Sequence, residues 1–69
     1  MNIENTKTRF VLNETVRIRD GFYKGYKGKV RDYKVDKELV YYDVETDISD
    51  VPLRIPEKNL VKTHIFGLL

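Results

Sequence analysis

The sequence predicts an all-β protein, a small antiparallel barrel of about five strands, and two observations carry that prediction. Apolar residues recur at every second position through much of the chain, and glycine, proline and asparagine interrupt the alternation at short intervals. Helical periodicity is nearly absent. With 69 residues and no cysteine, the chain has room for one domain, and no disulfide or thiolate metal site reinforces it. A domain of this size buries only roughly 60% of its unfolded surface, which leaves little space for a deep enzyme pocket.

The strands follow in order. In Glu14–Arg19, Val16 and Ile18 alternate with Arg17 and Arg19, as on a half-buried strand. Lys27–Val35 is rich in β-formers, but its apolar parity shifts between Val30 and the pair Tyr33 and Val35, so a bulge or sharp bend is expected there. Leu39–Glu45 alternates without a break, Val40, Tyr42 and Val44 facing one way and Tyr41, Asp43 and Glu45 the other. Val51, Leu53 and Ile55 form another set; Pro52 and Pro56 on the opposite parity place that strand at a sheet edge or beside a bulge. Pro56–Leu60 reads as a tight turn and Leu60–Thr63 as a last short strand.

At the ends, residues 1–7 read as a flexible arm and residues 8–69 as the single domain. The tail Ile65–Leu69 is too apolar to be left in water and is expected to pair with Thr8–Leu12, the alternative being a hydrophobic surface for a partner. No apolar run approaches the roughly 20 residues needed to span a bilayer. The N-terminal stretch lacks the layout of a signal peptide. The expectation is a cytoplasmic protein without membrane association.

Charge is unevenly distributed around a net value of +2. Residues 17–34 carry seven basic side chains against two acidic ones, and residues 36–59 carry seven acidic against three basic. The basic half suits phosphates; the acidic half limits indiscriminate adhesion to them. Three glycines, Gly21, Gly25 and Gly28, lie in the basic half. Their spacing is neither the dinucleotide fingerprint nor the Walker loop, and Val30 follows Gly28-Lys29 where a magnesium-binding hydroxyl would be needed. His64 is the only histidine and has no cysteine to join it in a metal site. Asp43, Glu45 and Asp47 share one strand parity, but counting from Asp43 the sixth and twelfth positions are Ile48 and Arg54, not the glycine and glutamate of a calcium loop. No catalytic residue, metal ligand or cofactor site emerges, and a non-enzymatic role is expected.

The stretch from Glu14 to Val30 resembles a KOW motif, found in NusG-type transcription elongation factors and in several ribosomal proteins. Val16 and Ile18 match its first strand, Gly21 its turn glycine and Phe22 or Tyr23 its aromatic, while Lys24-Gly25 and Gly28-Lys29-Val30 complete it. The strand pattern that follows extends the resemblance over roughly residues 14–63. The resemblance implies an SH3-like barrel and a binding module for RNA or a ribonucleoprotein in transcription or translation. Its alternative implication is a protein partner, such as polymerase or a ribosomal component, for an accessory regulator of phage or mobile-element type.

Residue chemistry fits the nucleic-acid reading. Lys24, Lys27 and Lys29, with Arg17, Arg19 and Arg31 on neighbouring strands, are candidates to neutralise phosphates, and Tyr23 and Tyr26 to stack on bases. Phe22 is expected to plug the core. With no recognition helix for a DNA major groove, structured or single-stranded RNA is the expected nucleic acid. For a protein partner, the docking surface would be the acidic face of Asp43, Glu45 and Asp47, or the apolar tail.

Overall fold

The computed structural model describes residues 8–63; the arm, His64 and the apolar tail lie outside the described residues. Five strands form one antiparallel sheet: β1 (Thr15–Ile18), β2 (Lys27–Asp36), β3 (Leu39–Glu45), β4 (Leu53–Pro56) and β5 (Leu60–Lys62). A 3-10 turn, Glu57–Asn59, joins the last two. The strand order is β4-β3-β2-β1-β5. A consecutive meander runs from β1 to β4, and the chain then returns across the 3-10 turn to lay β5 on the free side of β1. This is the architecture of a small SH3-like barrel, a single sheet curled around its own inner face.

The inner face is what the alternation specifies. Val16 and Ile18 of β1, Val30 of β2, Tyr42 and Val44 of β3, Ile55 of β4 and Leu60 of β5 are all buried, joined by Phe10 from the segment before β1. Arg17, lying between Val16 and Ile18, is exposed on the outer face. β4 is an edge strand, a position that accommodates Pro56. Val51 lies outside it and is exposed: the apolar parity continues upstream, but Pro52 follows and the ladder with β3 reaches only to Leu53 opposite Val44.

The bulge falls where the parity shifts. Val30 pairs with Val44, yet Asp32 pairs with Asp43, so Arg31 is the extra residue. Beyond it Tyr33 pairs with the buried Tyr42, and Val35 with Val40, so the bulge keeps apolar side chains on the inner parity. That parity outruns the core: Tyr33 and Val35 remain exposed on a projecting hairpin. Its two-residue turn, Lys37-Glu38, holds Lys37 at φ +60°.

Thr8–Leu12 is not a strand. This segment instead delivers Phe10 into the core, edge-on to Tyr42 with ring centroids 5.2 Å apart. The Tyr42 hydroxyl donates to Glu57 Oε2 at 2.6 Å and accepts from the Phe10 N–H at 3.3 Å. The Arg9 N–H reaches the same Glu57 oxygen at 3.0 Å. Burial, reinforced by the Glu57 carboxylate, pushes the Tyr42 phenol up to about 12. Farther along, Glu14 accepts from the Val11 N–H at 3.0 Å and meets Lys62 Nζ at 2.9 Å. Burial opposes the charged Glu14, but these two donors outweigh it and hold its carboxyl below the usual value. These bonds clamp the segment before β1 to β3, the 3-10 turn and β5.

Candidate nucleic-acid interface

Register assembles the basic face. Arg17 on β1 lies directly opposite Lys27 on β2, and Thr15 opposite Lys29. Since Val16 and Ile18 point inward, Arg17, Lys27 and Lys29 share the outer face and are exposed. None of the three has an ion-pair partner among the described residues. Gly28, between the two lysines, is needed for a separate reason: a Cβ there would overlap the Glu45 carbonyl oxygen and approach Val44 Cγ1 to 2.7 Å. β3 therefore passes flush against β2 at this point, and the two lysines stand out on either side of the contact.

The loop between β1 and β2 is a compact hydrogen-bonded turn. Ile18 accepts from the Gly25 N–H at 2.7 Å and donates to the Tyr26 carbonyl at 2.8 Å. Inside this closure the Lys24 N–H donates to the Gly21 carbonyl at 3.1 Å, which makes Phe22 and Tyr23 the two central residues of a β-turn. Gly21 and Gly25 flank it at φ +93° and +99°, conformations that glycine adopts without a Cβ clash. Lys24 and Gly25 then line one depression together with Arg17, Ile18 and Arg19, so the loop's lysine joins the strand's arginine.

The two aromatics at the tip have opposite fates, and Phe22 corrects the sequence reading. Tyr23 is partly buried and packs against the core. Phe22, expected as a core plug, is 91% exposed; its main neighbouring ring is Tyr23, edge-on at 4.9 Å. Alternation does not continue through a turn, so adjacent aromatics give no sign of which one faces in. Tyr26, at the start of β2, is half exposed beside Lys27.

Two predicted basic residues are engaged within the protein. Arg31, the bulge residue, pairs with Glu45 and also donates to Asn13 Oδ1. Arg19 Nε donates to the Lys58 carbonyl at 3.0 Å, and its backbone N–H to the Asn59 carbonyl at 2.7 Å, tying the loop to the 3-10 turn. Arg31 is thus held at the rim of the basic face, where Glu45 and Asp47 share a depression with Lys27 and Lys29. The acidic parity of β3 is largely answered from within: Asp43 meets Arg54 at 3.1 Å, and Glu45 holds Arg31. Among the described residues, no group of carboxylates and histidine is arranged to hold a metal ion. No helix among them is long and apolar enough to cross a membrane.

The geometry therefore offers a face of exposed cations, Arg17, Lys24, Lys27 and Lys29, bordered by two exposed rings, Phe22 and Tyr26. Such a surface attracts polyanions by charge and unpaired bases by ring stacking. Compared with models of protein families, with curated proteins and with solved structures, the chain gives no match that assigns it to a family.

Proposed function

We propose that this protein is a non-enzymatic, cytoplasmic binding module of KOW type that contacts RNA, alone or within a ribonucleoprotein of transcription or translation, through the outer face of β1 and β2. The observation that carries the reading is the register that sets Arg17 beside Lys27, with Lys29 one pleat away, all exposed and without an ion-pair partner among the described residues. Three or four such cations neutralise a comparable number of phosphates. The adjoining rings supply sequence-tolerant contact with bases.

Fluorescence anisotropy with a labelled oligouridine tests the reading. Affinity is expected to fall roughly 15- to 60-fold as salt rises from about 50 to 200 mM, the counterion release of three to four single-strand phosphate contacts. The combined variant Arg17→Ala, Lys27→Ala, Lys29→Ala should keep the wild-type circular dichroism spectrum and lose both the binding and its salt dependence. An absence of binding to any RNA at low salt overturns the proposal.

One observation favours a second reading, a module docking on polymerase or a ribosomal protein: Tyr33 and Val35 are exposed on the same face of the projecting hairpin. Co-sedimentation with either assembly that survives nuclease treatment and is lost in Val35→Asp would favour it.

A further inference from the structure

Phe22 is the side chain that the barrel explains least. At 91% exposure it contributes almost nothing to the core, although a phenylalanine ring is stabilised by leaving water for an apolar surface. Its position is nonetheless well defined. The turn that bears it is closed by the Lys24–Gly21 backbone bond, and the whole loop by the paired Ile18–Gly25 and Ile18–Tyr26 bonds. One flank of the ring rests edge-on against Tyr23, which is itself anchored on the core. The rest of the ring faces solvent at the tip of the loop.

Its surroundings favour one kind of occupant. Phe22 stands two residues from Lys24, which lines a depression with Arg17 and Arg19. Asp20 is the one acidic side chain in the loop, and it accepts from the Gly21 N–H at 2.9 Å. An apolar anchor for a protein partner would be expected among uncharged neighbours, since charge is depleted at the core of a protein interface. A ring carried on the same loop as Lys24, which leads into the Arg17–Lys27 pair, matches a ligand that alternates planar apolar groups with negative charges, as a nucleic-acid strand does. Inside a duplex each base face is already covered by its neighbours, so a protruding ring must pay unstacking energy to reach one. An unpaired base offers an open face.

Building on the RNA-binding reading, we infer that Phe22 is a base-stacking site selective for unpaired nucleotides, with the flanking phosphates held by Lys24, Arg17 and Lys27. The loop reads strandedness, while the β1–β2 face reads charge. Tyr23 acts as a buttress that fixes the ring, and Tyr26, half exposed at the foot of β2, is placed to meet a neighbouring nucleotide.

The chain contains no tryptophan, so Phe22→Trp introduces a fluorophore at this site alone. Titration with an oligouridine of about eight nucleotides should quench and saturate that fluorescence with near wild-type affinity, and a blunt RNA duplex of equal length should leave it unquenched. Phe22→Ala should weaken oligouridine binding by roughly 5- to 100-fold with the salt slope unchanged, while leaving duplex affinity as in the wild type. Because Phe22 is exposed, its replacement does not threaten folding, and a thermal melt of Phe22→Ala checks this directly. If the oligouridine binds with the expected salt slope but Phe22→Ala binds equally well, the stacking site is refuted and the basic face stands. Equal losses for duplex and single strand also refute it. If the wild type binds no RNA at low salt, both proposals fall, and Phe22 becomes a candidate anchor for a protein.

Discussion

Gly28 and Gly25 lie in the same glycine-rich stretch for different physical reasons, and substitution separates them. A Cβ at Gly28 would overlap the Glu45 carbonyl and lie 2.9 Å from Thr46 Cγ2; the carbonyl belongs to strand backbone and the Thr46 side chain is buried, so neither has room to retreat. Gly25 has nothing within 4 Å of such a Cβ but holds φ +99°. Gly28→Ala is therefore expected to cost about 3 kcal/mol in urea unfolding, through overpacking. Gly25→Ala should cost about 1 kcal/mol, the penalty of a side chain in the left-handed region. Tyr42 allows a pH test at the same scale. Its folded-state pKa is raised from 10.0 to about 12, so the phenol's contribution is complete below pH 10 and is lost as pH climbs through 12. Tyr42→Phe removes a hydrogen bond to a carboxylate and should cost about 2 kcal/mol near neutral pH. The stability gap between wild type and Tyr42→Phe should then close under strongly alkaline conditions, which denaturant titrations at stepped pH would reveal.

The elements divide into those that local sequence specifies and those that distant contacts specify. Strands β1 to β5, the edge position of β4 and the bulge at Arg31 were legible because each follows from side-chain parity and proline placement, both local properties. The plug made by Phe10 was not. Its partners Tyr42 and Glu57 are far along the chain, the Phe10–Tyr42 and Arg9–Glu57 bonds spanning 32 and 48 residues, and Thr8–Leu12 taken alone looks like any short apolar segment. Within the candidate site, the facing of Arg17, Lys27 and Lys29 followed from alternation. The capture of Arg31 by Glu45 and Asn13, and the exchange of roles between Phe22 and Tyr23, depend on turn and bulge geometry that composition does not encode. Phe10→Ala should therefore cost about 4 kcal/mol, a large fraction of the stability of so small a domain, and calorimetry should show a sharp fall in Tm. The hairpin offers the opposite test. Lys37 sits at φ +60° in a two-residue turn, a position where glycine is preferred. Lys37→Gly is expected to raise Tm modestly.

At the scale of the molecule, the bulge has an effect beyond strand geometry. Before it, the outer face of β2 presents Lys27 and Lys29 beside Arg17. After it, the parity change turns Asp32 and Asp36 outward with Lys34, next to Asp43 on β3. One extra residue thus divides a continuous strand into a cationic stretch and one of mixed charge, and a net charge of +2 describes neither. The result is an electric dipole running along the sheet. A polyanion approaching from solution is drawn to the β1–β2 end of the sheet rather than to the hairpin. Stopped-flow mixing with RNA should accordingly show salt acting mainly on the association rate. Asp32→Lys, which weakens the dipole while adding positive charge, should raise affinity for RNA but let the strand engage the sheet in more than one orientation.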